Sequence, residues 1–258
     1  MQKKIKVSLL QLDLLSKDVV NNLNRISSFI QKTSSPNIIF LPEMFNTSFC
    51  PRDIKLAESM RGNTVSWMKK QAAHKKSAIA GTLMIRDGKN IYNRFIFSDE
   101  FGNITYYDKR HLFSLGKEDK FIKSGNSLPI INYRGWKICP QICYDLRFPV
   151  FSRNTQEYDL LIYLANWPKT RINVWDILLK ARSIENQSYT IGVNRIGNDI
   201  NNNMYPGHSK IIDLYGNELA SAVDNIEEVI ELELSLESLH KKRREMNFLK
   251  DRDRFTLI

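Results

Sequence analysis

Short apolar, β-branched runs of strand length recur along the chain: IKVSLLQ (5–11), NIIFLPE (37–43), SAIAGTLMI (77–85), RFIFSD (94–99), WKICPQIC (136–143), DLLIYLAN (159–166), YTIGVNR (189–195), HSKIIDL (208–214) and EEVIELEL (227–234). Each is bounded by Gly, Pro, Asn or Asp, which is how strands are punctuated. Helical spacing intervenes three times: Val19, Leu23, Ile26 and Ile30 within 18–33; Val65, Trp67, Met68 and Ala72 within 63–75; and Ile172, Trp175, Leu178, Leu179, Arg182 and Ile184 within 172–187. Apolar side chains three and four apart share one helix face. Strands alternating with helices predict an α/β fold. The stretch from 77 to 107 differs, because RDGKN and DEFGN are hairpin turns, so the sheet is expected to be mixed. With no linker-like stretch, low-complexity tract or internal repeat, a single domain over 1–258 is expected.

Composition narrows the classes. Apolar residues are 42% and charged residues 26% of the 258, ordinary proportions for a folded soluble protein. Lys plus Arg (38) exceed Asp plus Glu (28), which raises nucleic-acid binding as a possibility. The basic residues are scattered, however, and the one tight cluster, HKKRRE (240–245), reads as the solvated face of a terminal helix. Phosphate binding needs a stripe that tracks a backbone, so no nucleic-acid partner is expected. No apolar run approaches the roughly 20 residues that span a bilayer. The opening MQKKIKVSLLQLD has no small-residue cleavage site and reads as a first strand. Cys50, Cys139 and Cys143 are an odd set without metal-ligand spacing, which suggests reduced thiols in a cytoplasmic protein without a metal.

Chemistry in α/β proteins collects at the C-terminal ends of strands, and three such ends are unusually polar. IIFLPEMF ends in Glu43, ITYYDKRHLF places Lys109 just past a strand-like run, and WKICPQICYD ends in Cys143 followed by Asp145 and Arg147. Singly, a strand cysteine is a core residue, a strand-end glutamate a cap, and a lysine in DKR a solvated charge. Together they make a sufficient acyl-transfer set. A thiol needs a base or cation to become nucleophilic, a partly buried carboxylate can take its proton, and an ammonium with a backbone N–H can hold the oxyanion. Of the four histidines, His74 and His240 are expected at the surface, while His111 and His208 leave a Cys/His hydrolase open.

The order Glu43 in FLPEMF, Lys109 in YDKRHLF and Cys143 in ICYDLRFP resembles the nitrilase (carbon–nitrogen hydrolase) superfamily, and the similarity runs from KVSLLQLD to GHSKIIDLYGNEL. The resemblance implies a four-layer αββα sandwich with mixed sheets, commonly paired into homodimers or higher oligomers, and no cofactor. It implies Cys143 as nucleophile, Glu43 as general base, Lys109 with the Tyr144 N–H as oxyanion partners, and Glu118 in LFSLGKEDKF as a second glutamate. Tyr144-Asp145 after the cysteine, with LPEMF, DKRHLF and NWP, resembles the omega-amidase branch, which hydrolyses the terminal amide of 2-oxoglutaramate or 2-oxosuccinamate to ammonia and a 2-oxo dicarboxylic acid.

Such substrates carry a carboxylate away from the scissile amide, so a pocket cation is expected. Arg147, Arg171 and Arg195 are candidates, each with structural salt bridging as its competing role, Arg147 with Asp145 in particular. Phe45 and Trp167 are candidate pocket walls, with core packing as their alternative. Other carbon–nitrogen substrates, such as nitriles or N-carbamoyl compounds, and a non-catalytic basic protein stand as competing functions.

Overall fold

Alternation along the strands sorts the apolar side chains into two faces, and the layers follow from it. The structure is a computed structural model describing residues 3–256. In chain order it holds β1 (Lys4–Gln11), α1 (Val19–Lys32), β2 (Ile38–Phe40), α2 (Asn63–Lys75), β3 (Ala78–Asp87), β4 (Asn90–Ser98), β5 (Ile104–Asp108), β6 (Ile131–Tyr133), β7 (Trp136–Ile142), α3 (Pro149–Ser152), β8 (Leu160–Ala165), α4 (Ile172–Asn186), β9 (Tyr189–Asn194), β10 (Ile196–Asn198), β11 (Met204–Pro206), β12 (Lys210–Ile212), β13 (Glu218–Ser221), β14 (Glu228–Ser235) and α5 (Leu236–Glu245). One six-stranded sheet has the order β14-β1-β2-β3-β4-β5 and the other β13-β12-β9-β8-β7-β6, with β10 and β11 as a separate hairpin.

Both sheets are mixed in the same way. Three central parallel strands, β1-β2-β3 in one and β7-β8-β9 in the other, are flanked by antiparallel neighbours. Ile5, Val7, Leu9, Ile38, Phe40, Ala78 and Ala80 face the second sheet, where they meet Trp136, Ile138 and Ile162 in one core. Their alternates Leu10, Ile39 and Ile79 face outward and are covered by Ile26 and Ile30 of α1 and Val65 and Met68 of α2. On the far side Trp175 and Leu179 of α4 seat on β9, where a Cβ at Gly192 would lie 2.5 Å from Leu179, so only glycine permits that approach. This is the four-layer αββα sandwich expected from the sequence.

Departures from the expected elements have local causes. The run 37–43 stops as a strand at Phe40, and Glu43 sits in a turn whose Met44 has φ 46°, because Pro42 has no N–H with which to continue the ladder. The basic C-terminal run does form α5, yet its face is not simply solvated. Arg243 donates to the carbonyls of Gln187 and Tyr158 and to Asp159, and His240 meets the same carboxylate at 2.9 Å. No helix of the described residues is long and apolar enough to cross a membrane.

Candidate active site

The three expected strand ends converge at the seam between the sheets. Glu43 follows β2 and Lys109 follows β5 in the first sheet, while Cys143 follows β7 in the second. Glu43, Lys109 and Cys143 line one open cleft of about 670 Å³, a size that suits a small molecule.

Lys109 lies fully buried between two fully buried carboxylates. Its ammonium donates to Glu43 Oε1 at 2.9 Å and to Glu118 at 2.9 and 3.2 Å. Asn93 on β4 spans the same pair, its amide donating to Glu43 Oε1 (2.8 Å) and Glu118 Oε1 (3.0 Å), and Thr82 donates its hydroxyl hydrogen to Asn93 Oδ1 at 2.9 Å. Opposite, Asn166 at the end of β8 donates its backbone N–H to Glu43 Oε2 at 2.9 Å and its side-chain amide to the Glu43 carbonyl at 2.7 Å. Every oxygen of Glu43 is thereby held, as a buried charge requires.

Burial alone would lower the Lys109 pKa, but Glu118 and Glu43 outweigh it and hold the ammonium well above its ordinary range. Burial raises the Glu118 carboxyl, with Lys109 pulling the other way and Glu43 adding to the rise. The Cys143 thiol is also pushed well up, first by burial and then by the Glu43 charge, against the pull of Lys109. At neutral pH the resting sulfur is therefore a thiol whose proton must leave as it attacks, not a preformed thiolate.

Cys143 opens a single helical turn, Cys143–Arg147, and its own φ is 43°. That left-handed conformation is costly for a side chain bearing Cβ and is found where the surrounding structure enforces it. Its Sγ lies 3.9 Å from the Asn166 carbonyl. The turn puts the Tyr144 N–H at its N-terminal end, where helical N–H groups lack intrahelical acceptors. Asp145 is fully buried, and its carboxylate accepts from Ile142 N–H, Tyr107 OH, His111 N–H and His111 Nδ1.

Glu118 borders the cleft through Lys109, and Arg171 lines its wall with its guanidinium 5.3 Å from the Phe113 ring. Tyr144, expected to act through its backbone N–H, and four other expected residues fall outside the lining. Arg195 is fully buried, spent on Asp13, Ser48 and the carbonyls of Leu14, Ile196 and Asn198, so it serves as an internal tie. Phe45 is swung by the turn after Glu43 into the outer core, 5.8 Å from Trp67. Trp167 donates its indole N–H to the Arg171 carbonyl and packs on Trp175. Arg147 lies 5.1 Å over Trp167 and does not pair with Asp145, whose oxygens are taken by Tyr107, His111 and Ile142.

None of the four histidines lines the cleft. His111 is turned onto Asp145 and stacks on Phe148 at 3.9 Å, and His208 lies between Asp176 and Asp224. Sequence reasoning missed Asn93, Asn166 and the anchoring use of Asp145. The signal for Asn166 was present as the polar residue closing the apolar run before Trp167-Pro168. Asn93 lies inside a strand, where nothing local marks it.

The chain is similar to known proteins over nearly its whole length. Residues 6–244 match the family model described as carbon-nitrogen hydrolase. The chain is 38% identical over 256 residues to the omega-amidase YafV of Yersinia enterocolitica, covering 98% of this chain and 99% of that one. It is 34% identical over 223 residues to the 2-oxoglutaramate amidase of Bacillus subtilis, covering 84% and 86%. Among solved structures, a CN-hydrolase superfamily protein of Xanthomonas campestris, with an arsenic adduct in its active site, superposes with a TM-score of 0.97 at 34% identity over 100% of both chains. With that family model spanning residues 6–244 and relatives this similar over nearly the whole chain, the chain belongs to the carbon–nitrogen hydrolase family, the nitrilase superfamily.

Proposed function

We infer that the protein is a cysteine-dependent omega-amidase, releasing ammonia from the terminal amide of 2-oxo acid amides such as 2-oxoglutaramate. The observation that carries this reading is the buried Glu43–Lys109–Glu118 network opening with Cys143 onto one cleft, in a chain similar over almost its whole length to omega-amidases.

The chemistry follows from the protonation states. Cys143 Sγ attacks the amide carbon while Glu43 takes the thiol proton. The carbonyl oxygen becomes an oxyanion held by the Lys109 ammonium and the Tyr144 N–H. Glu43 returns the proton to the leaving nitrogen as the C–N bond breaks, giving ammonia and a thioester on Cys143. Water, deprotonated by Glu43, then attacks the thioester carbon, and the thiolate leaves and regains its proton. Overall, one amide and one water become one carboxylic acid and one ammonia. Glu118, raised by burial, keeps Lys109 fixed and ammonium-like throughout.

The substrate's remote carboxylate is assigned to Arg171, which lines the cleft and makes no ion pair among the described residues, with Arg52 on the same rim. A single domain, a cytoplasmic setting that keeps its three buried thiols reduced, and pairing of two copies complete the proposal.

Incubation with 2-oxoglutaramate or 2-oxosuccinamate should release ammonia and trap a thioester at Cys143 by mass spectrometry. Cys143→Ala should lower turnover by on the order of 10⁴-fold or more. No ammonia above that variant would sink the substrate assignment.

A further inference from the structure

Lys109 and Cys143 belong to different sheets, so no shared hydrogen-bond ladder sets the gap between them. We propose that Asp145 is the positioning residue that fixes this gap, resting on the catalytic reading above. Its carboxylate is fully buried and has four donors from two segments. From its own segment, the Ile142 N–H directly before Cys143 reaches Oδ2 at 2.9 Å. From the other, Tyr107 OH reaches Oδ2 at 2.8 Å, and His111 donates its backbone N–H and Nδ1 to Oδ1 at 2.9 and 2.8 Å.

Tyr107 and His111 stand two residues before and two after Lys109. The Arg110 N–H completes the clasp by donating to the Tyr107 oxygen at 2.9 Å. One carboxylate therefore grips both flanks of the lysine and the start of the nucleophile's turn. A carboxylate accepts only, so His111 Nδ1 carries its hydrogen toward Asp145, and the imidazole is committed to anchoring. An amide at 145 would keep the size but put an NH2 at one of two oxygen positions that each already receive two donors, so at least one contact must open.

A displacement on the order of 1 Å at a reacting group costs about 10²-fold. Asp145→Asn is accordingly expected to lower kcat about 10²-fold while KM moves less than about threefold, since the cleft wall that holds substrate is untouched. Tyr107→Phe, which removes one of the four contacts, should lose roughly tenfold in kcat. Iodoacetamide alkylation of Cys143 in both variants should stay within about threefold of wild type, showing the thiol present and reachable. A merely structural role predicts a loss that follows the melting temperature and disappears when the fold is reinforced with sucrose.

Wild-type kcat in Asp145→Asn, or recovery of kcat in sucrose, would overturn the proposal. Should that variant fail to fold, full kcat in Tyr107→Phe would do so. Cys143→Ala is assayed alongside: turnover there refutes the catalytic reading itself, whereas an inert Cys143→Ala beside a fully active Asp145→Asn refutes only the positioning role.

Discussion

The two sheets share one arrangement, three central parallel strands flanked by antiparallel neighbours, but carry different residues at the ends of their middle strands. In the first, the middle strand β2 leads into Glu43 and the outer strand β5 into Lys109. In the second, the middle strand β8 ends in the neutral Asn166, and β7 leads into Cys143. The middle strands meet at the seam, where Asn166 donates twice to Glu43. One half thus supplies charge, and the other supplies a thiol and neutral donors aimed at that charge. Had both middle strands ended in carboxylates, two buried anions would face each other and one would have to take up a proton.

Making the halves alike tests this directly. Asn166→Asp places a second carboxylate against Glu43 and removes the amide hydrogens that hold the Glu43 carbonyl. Turnover should fall by roughly 10² to 10³-fold. The acid limb of the pH profile of kcat/KM should also move to higher pH, because like charges raise the pH at which the pair loses its proton. An unchanged acid limb would show that the neutrality of Asn166 does not matter.

The asymmetry was only partly legible in the sequence. Glu43, Lys109 and Cys143 stood out because each follows a strand-like apolar run as a polar residue, and strands alternating with helices foretold the α/β fold. Arg195 and Phe45 misled because each stands next to a strand end, and the turn that follows decides where the side chain goes. Arg195 was captured by Asp13 and Ser48, and Phe45 by the outer core. Three of the four contacts of Asp145 link segments more than thirty residues apart, a relation no local pattern encodes. Nor does the chain repeat in sequence, although its two sheets share a topology, since the topology asks only for apolar alternation and turns.

The same contrast fixes how the thiol behaves before substrate arrives. With burial and Glu43 raising the Cys143 pKa well above its usual value, the thiolate fraction near pH 8 is small. Iodoacetamide alkylation of Cys143 in the free enzyme should run at least tenfold slower at pH 8 than for an exposed cysteine of ordinary pKa. The rate should still be climbing at pH 9 to 10, where an ordinary thiol approaches its plateau. A plateau below pH 8 would mean that Lys109 outweighs burial and that the site works with a preformed thiolate.

The smallest effects expected lie at the sheet edges, where the halves again differ. On β4 and β5, Arg94 stands directly opposite Asp108 and grips it at 2.7 and 2.9 Å with a guanidinium 2% exposed. On the corresponding β12 and β13, Lys210 reaches Glu218 at 3.2 Å, and Glu218 is 30% exposed. A buried guanidinium that loses its bidentate partner and keeps only Asp87 at 3.1 Å costs more than the loss of Glu218, since Lys210 keeps Asp176 at 2.8 Å and the Lys180 ammonium is solvated. Asp108→Asn should therefore lower unfolding stability at pH 7 by about 3 kcal/mol and Glu218→Gln by about 1 kcal/mol, read from urea unfolding. Burial alone would raise the Glu218 carboxyl, but hydrogen bonds from Lys180 and Ser221 and the charge of Lys210 outweigh it and hold the group at about 2. Because that value lies below the ordinary 4.5, the contribution is complete above pH 4.5 and drains away as the pH falls toward 2. The gap between wild type and Glu218→Gln should close over that acid window; a gap that persists at pH 2 would assign the stabilisation to packing of the side chain, not to its charge.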